Sequence, residues 1–310
     1  MPHTPEPSEA RRALLEKYLR GDIPQTAIAT GVITQSTGGD VSTPRGRVVA
    51  IQSGGSRRPF FFLHGQWTGD AFYCYPLARA LGADQPFYLL EPYRLEDLSV
   101  PPPLETIAAA HIKSMRAVQP KGPYLLGGWC NGALVAYEMA RQLHAEGQAV
   151  DLLVLMDPVT LVYPTHQRIF RHAISGFGDL IRLSKDKQFD LYLRLKQGLK
   201  HGYHYLRSSH YRRSKGDRVP TAKALRVDYP TIFDWLALDY APSSLYPGKI
   251  TLFWPDSHPF RKGWRKVEKA NEVDIHLLPG THITCRTDYL HVLAEHLRTC
   301  VSEAQVAVVR

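Results

Sequence analysis

In Gly128-Trp129-Cys130-Asn131-Gly132 a thiol sits between two glycines, directly after the apolar run from Tyr124 to Trp129 and ahead of a helix-forming stretch that opens at Asn131. A strand that turns sharply into a helix presents one side chain at the turn, and the helix N-terminus behind it favours negative charge on sulfur. The flanking glycines permit the tight turn and the close strand-helix approach. Cys130 therefore stands where a nucleophile would. Such chemistry needs a base, and His282 in "PGTHIT" lies just after the last strand-like run, placed to take the Cys130 proton and return it to a leaving group. It also needs an acid to hold the imidazole in its productive tautomer. Two aspartates close strand-like runs and compete for that part: Asp157 at the end of "LLVLMD" and Asp256 in "LFWPDSHP".

The elements that must carry these residues alternate. "RVVAIQ", "PFFFLHG", "PFYLLEP", "YLLGGW" and "DLLVLMD" read as strands, separated by helices over residues 70–81, 104–118 and 131–146. After a long interruption, "KITLFWP", "VDIHLLPG" and a final helix over 288–300 resume the pattern. The alternation predicts an α/β domain with a mostly parallel sheet covered on both faces and ligands at the carboxyl ends of its strands. It begins near Arg45 and runs to residue 310. Ahead of it, residues 8–20 form an amphipathic helix and a Gly/Thr/Ser-rich stretch from Gly31 to Pro44 has the composition of a linker, so residues 1–44 are set apart.

The interruption spans about residues 160–242. Phe170, Ile174, Phe177 and Ile181, then Phe189, Tyr192, Leu195 and Leu199, recur at helical spacing and predict a helical insertion. Between His166 and Arg226 fifteen Lys/Arg stand against four Asp/Glu, a local +11 that exceeds the +9 of the whole chain and leaves the remainder slightly acidic. Such a patch, with Arg212, Arg213 and Lys215 at its densest, raises the encounter rate with acidic partners.

Composition narrows the classes further. The 310 residues, 44% of them apolar, suffice for one full core, no apolar run approaches the ~20 residues that span a bilayer, and "MPHTPEPSEARR" lacks the apolar core of an export signal. A cytoplasmic location is expected. Four sparse cysteines without a C-x-x-C pair fit reduced thiols. Cys285, His291, His296 and Cys300 crowd the C-terminus, but His291 and His296 are five apart on one helix and diverge, so no metal site is expected. Neither a phosphate-binding glycine loop nor a nucleic-acid motif is present.

Three ordered segments, "RRPFFFLHGQWTGDAFYCYPLARALGADQPFYLLEP", "GPYLLGGWCNGALVAYEMARQLHAEGQAVDLLVLMDP" and "LPGTHITCRTDYLHVLAEHL", resemble the thioesterase domains that end polyketide and nonribosomal-peptide assembly lines. The likeness covers about residues 45–160 and 245–300. It implies an α/β-hydrolase fold in which Cys130 replaces the serine of the nucleophile elbow and the insertion is a lid. It implies a Cys130, His282, Asp157 triad, since terminating thioesterases carry their acid where Asp157 stands; Asp256 holds the position used by free-standing editing thioesterases. The backbone N–H groups of Asn131 and Gln66 would form the oxyanion hole, although "QWTGD" departs from the glycine-rich run usual after His-Gly. Trp67 would border the acyl pocket and Trp129 would pack in the elbow or shape that pocket, with His64 supporting the loop. The substrate would arrive on the phosphopantetheine arm of an acyl or peptidyl carrier protein that docks on the basic lid, and the chain itself would bind no cofactor. Sulfur changes the outcome: the acyl-enzyme stays a thioester, which suits transfer to an amine or hydroxyl, or cyclisation, better than hydrolysis. A hydrolytic editing thioesterase or carboxylesterase, and a noncatalytic carrier-binding scaffold, are the other readings.

Overall fold

The computed structural model describes residues 46–65, 71–95, 98–207, 229–257 and 261–306. The N-terminal helix and linker expected over residues 1–44, Gln66, Trp67 and the Arg212, Arg213 and Lys215 cluster lie outside the described residues.

Seven strands, β1 (Val48–Gln52), β2 (Phe60–Leu63), β3 (Phe87–Leu90), β4 (Tyr124–Trp129), β5 (Val150–Met156), β6 (Ile250–Pro255) and β7 (Val273–Leu278), form one sheet in the order β1-β3-β2-β4-β5-β6-β7. Only β1 runs antiparallel to its neighbour. The chain steps from β2 outward to β3, then returns to place β4 on the other side of β2. The carboxyl ends of β2 and β4 therefore flank the point where strand order reverses, the place at which α/β sheets open a crevice for ligands.

β2, β3, β4 and β6 are buried along their whole length, which is why they read as continuous apolar runs rather than alternating ones. Their alternate side chains feed two cores. Phe61, Leu126, Leu153 and Leu155 pack with α2 (Leu104–Arg116) and α3 (Asn131–Ala145) on one face. Phe60, Phe62, Leu125 and Val154 pack with α1 (Cys74–Ala80) and α7 (Leu290–Val306) on the other. The last helix runs six residues beyond the Cys300 expected from sequence, because Val301 and Ala304 continue its apolar face. The first covering helix starts at Cys74 rather than residue 70.

The insertion between β5 and β6 contains the helices α4 (Thr165–Leu180), α5 (Lys185–Arg207) and α6 (Tyr229–Asp239). Trp235 of α6 organises them: the rings of Phe189 and Tyr192 lie 5.0 Å away, and the Arg171 guanidinium carbon stands 3.1 Å over its ring centroid while donating to Asp239 at 2.6 Å. The insertion is fastened to α3, the helix behind the Cys130 turn, through Glu138. That carboxylate is 1% exposed and accepts from Tyr240 Oη and Arg141 Nη1, each at 2.6 Å, and from Gln142 Nε2 at 2.9 Å. A buried carboxylate holds its charge only while such donors surround it. Tyr240→Phe removes one donor without changing the ring, so it should destabilise the protein by about 1–3 kcal/mol, read as a lower denaturation midpoint at unchanged slope.

Candidate active site

The sheet register brings two of the sequence candidates together before any side chain is considered. Trp129 pairs with Met156 across the parallel β4/β5 ladder, so residues 130 and 157 leave the sheet side by side. The Cys130 N–H still donates to the Met156 carbonyl at 2.9 Å and the Asp157 N–H to the Phe253 carbonyl at 2.8 Å. Both residues then take left-handed backbone angles, Cys130 at φ 53° and Asp157 at φ 40°, which side chains other than glycine rarely adopt. Cys130 caps α3, and its carbonyl accepts from the Ala133 N–H at 3.2 Å.

Glycine is required around this turn for want of space. A Cβ at Gly132 would meet the Leu63 carbonyl oxygen at 2.4 Å, and one at Gly65, whose φ is 67°, would meet the Trp129 carbonyl oxygen at 1.9 Å. The loop after β2 and the start of α3 thus press directly on the turn that carries the thiol. His64 in that loop is 4% exposed, and its carbonyl accepts from Tyr73 Oη at 2.9 Å. Burial, assisted by the Arg286 charge, lowers its pKa to about 4, so it is a neutral packed ring.

His282 arrives from the far side of the sheet, after β7. The two candidate acids now separate. Asp157, 3% exposed, accepts from His282 Nδ1 at 2.5 Å through Oδ2, whereas the exposed Asp256 accepts from the Gly280 N–H at 3.1 Å and so fixes the turn that leads to His282. One contacts the imidazole and the other shapes its approach. At the opposite ring nitrogen, Trp129 Nε1 donates to His282 Nε2 at 3.4 Å. Trp129 is fully buried, with Tyr73 and His282 ring centroids 6.1 and 5.4 Å away, and so stands behind the imidazole. The Cys130 thiol points at Asn131 Oδ1, 3.9 Å away. Burial lowers the His282 pKa, but the Asp157 and Cys130 side chains outweigh it and raise the value from 6.5 to about 9.

Next to the turn lies a cavity of about 1130 Å³ between the insertion and the strand ends. Val159, on its wall, donates its N–H to the Cys130 carbonyl at 3.4 Å. Val159, Tyr163, Phe170 and Tyr192 make the lining largely apolar; Asp234 supplies a carboxylate that accepts from Tyr163 Oη at 3.2 Å and pairs with Lys196. Sequence reasoning missed these polar residues, and also Arg286, whose guanidinium lies 5.3 Å from the Tyr73 ring centroid and 5.9 Å from that of Trp129. They come from separate segments of the chain and carry no local spacing signal.

Among the described residues no three metal-ligating side chains converge. His296 Nδ1 and Cys300 Sγ approach opposite nitrogens of His276, at 2.9 and 3.7 Å, while Cys285 is buried in the core. Nor is any helix among the described residues long and apolar enough to cross a membrane.

The raised His282 pKa has a definite sign. The protonated ring stabilises the fold fully below its ordinary value of 6.5, and that contribution is lost as pH rises through about 9. Asp157→Asn removes the carboxylate on Nδ1 and should bring the His282 titration down towards 6.5, followed by NMR of the imidazole carbons; Asp256→Asn should leave it in place.

Residues 59–300 match the family model described as thioesterase domain. Among curated relatives, a dimodular nonribosomal peptide synthase of Bacillus subtilis (strain 168) is 32% identical over 51% of this chain, and the non-reducing polyketide synthase ntnG of Nectria sp is 28% identical over 80%. The matches cover 6% and 13% of those proteins, so the chain corresponds to a small part of each. In fold it is similar to the NocB thioesterase domain from the nocardicin cluster, with a TM-score of 0.55, 21% identity and coverage of 83% and 99% of the two chains. The seven-stranded, mostly parallel sheet is that of an α/β-hydrolase, and with a family match that takes in the Cys130 turn, Asp157 and His282 alike, the chain belongs to the thioesterase domain family.

Proposed function

We propose that this chain releases an acyl or peptidyl intermediate from a carrier-protein thioester in polyketide or nonribosomal-peptide biosynthesis, using Cys130 as nucleophile, His282 as base and Asp157 as the orienting acid. The observation that carries the reading is the strained Cys130 turn beside an imidazole whose Nδ1 is held by a buried carboxylate. In the first half-reaction the Cys130 proton passes to His282 Nε2 and the sulfur attacks the thioester carbonyl, whose π electrons move onto oxygen. Backbone N–H groups of Asn131 and Gln66 would face that oxygen. Collapse breaks the bond to the pantetheine sulfur, which leaves with the proton from His282. In the second half an amine or hydroxyl, external or within the chain itself, gives its proton to His282 as it attacks, and the Cys130 sulfur departs and recovers that proton.

The apolar cavity beside Val159 offers room for the acyl chain, since pockets for drug-sized ligands run to about 300–1,000 Å³. Exchange of one thioester for another is close to thermoneutral, so the intermediate keeps its activation. That favours transfer or cyclisation over hydrolysis. A carrier protein, usually acidic, is the natural partner for a lid segment of local charge +11.

Acid-quenched incubation with an acyl thioester should leave a mass adduct on the Cys130 peptide; an adduct on Cys74 or Cys285, or none with an authentic substrate, overturns the assignment. His282→Ala and Asp157→Asn should each cut turnover strongly, up to the ~10⁴-fold known for loss of an orienting acid, with Asp256→Asn much milder. An inverted ranking would move the acid to the later strand. The product separates transfer or cyclisation from hydrolysis.

Reversing Arg212, Arg213 and Lys215 to Glu should slow turnover of carrier-bound substrate while sparing a small thioester mimic. The wild-type advantage should fade with salt, as exposed charges beyond ~8–10 Å are screened at physiological ionic strength. Equal losses on both substrates would assign the cluster to lid folding instead.

A further inference from the structure

The imidazole of His282 is held at both nitrogens, and only one of its partners belongs to the proposed relay. Asp157 takes the Nδ1 proton. At Nε2, the atom that must receive the Cys130 proton, the Trp129 indole N–H donates at 3.4 Å. An indole nitrogen is a donor only, so this contact requires a lone pair on Nε2 and hence the neutral ring. Trp129 cannot easily turn away: it is fully buried, its ring is tilted 49° to the imidazole, and it is walled in by Tyr73.

We infer that Trp129 is a positioning residue that competes with the Cys130 proton for His282 Nε2, disfavouring the imidazolium and so holding down the reactivity of the sulfur. The inference rests on the proposed roles of Cys130 and His282. In the neutral form of the ring the Trp129 N–H occupies the Nε2 lone pair. Proton transfer from Cys130 to Nε2 breaks that contact, because the imidazolium has no lone pair left to offer. The contact therefore opposes the thiolate-imidazolium pair and guards an activated thiol against adventitious electrophiles.

The charged and titratable groups around the ring act in opposite directions. Asp157 after β5 and Cys130 at the head of α3 raise the His282 pKa. Arg286, in the short helical turn after His282, brings a cation near the Trp129 and Tyr73 rings, and Tyr73, at the head of α1, stays neutral because burial raises its pKa. Cys285, beside Arg286, has its pKa pushed up to about 12, chiefly by burial, and stays a thiol. Among these groups Trp129 adds a hydrogen bond that only the neutral ring can accept.

Trp129→Phe keeps an aromatic ring and deletes the N–H. Loss of one such bond should raise the His282 pKa by about half to one pH unit, read by NMR, and speed iodoacetamide alkylation of Cys130 below neutral pH by roughly three- to tenfold. Replacing the Trp129 indole by the isosteric benzothiophene should do the same without disturbing packing, which covers the case in which the phenylalanine variant folds poorly. Both gains should vanish in a His282→Ala background. An unchanged His282 pKa and alkylation rate in the benzothiophene variant would reduce Trp129 to packing and overturn the inference. If His282→Ala itself leaves Cys130 alkylation untouched, the relay fails and this inference falls with it. A response to His282 without one to Trp129 removes the inference alone.

Discussion

Everything at the site follows from the backbone of one residue. Cys130 is held at φ 53°, ψ −117°, a conformation that costs an L-residue of order 1–3 kcal/mol and persists only where its surroundings over-determine it. Here they do. The Cys130 N–H is tied to β5, its carbonyl is already part of α3, and the Leu63 carbonyl and Gly65 N–H press on Gly132 so closely that no side chain fits. The turn leaves β4, the central strand of the seven. What it achieves is exposure: the thiol is half-buried while Cys74, Cys285 and Cys300 are buried.

The remaining groups inherit their positions from that turn. Parallel pairing of β4 and β5 delivers Asp157 beside the thiol, and a backbone bond to β6 keeps it there. Asp157 Oδ2 is satisfied by His282, whereas its Oδ1 is buried without a hydrogen-bond partner among the described residues. A buried carboxylate so placed leans on the imidazole for its compensation and in turn favours the protonated ring. Asp256 contributes at one remove, by holding Gly280 at the head of the segment that carries His282 across the sheet.

Sequence alone made the strands and the turn legible because each is a local signal: β2, β4 and β6 are buried on both faces and appear as unbroken apolar runs, and paired glycines mark the close approach at Cys130. The choice between Asp157 and Asp256 was not local. Both end a strand of the same sheet, and only the path of the chain from β7 back over β6 and β5 decides which meets His282. Trp129 shows the same limit from the other side. Its position in the pattern suggested a pocket wall or simple packing, and it is packed in the core, where its N–H also reaches His282 Nε2. The cavity was illegible for a third reason: Tyr163, the α5 pair Tyr192 and Lys196, and Asp234 of α6 lie on three segments of the insertion, so their convergence is a property of tertiary packing.

If Cys130 is the nucleophile, as proposed, sulfur at the turn gives these constraints a purpose beyond orientation. A serine needs its base to become a nucleophile at all, whereas a thiol becomes one through a modest shift in one proton equilibrium. The demand on the surroundings then changes from activating the nucleophile to timing it. In the proposed relay Asp157 favours the proton on His282 and the Trp129 N–H opposes its arrival at Nε2, so the two contacts act against each other. Were an acyl chain to enter the cavity beside Val159, as proposed, it would exclude water near the same turn and strengthen the attraction between a thiolate and an imidazolium there, so the balance would tip towards reaction only with substrate in place.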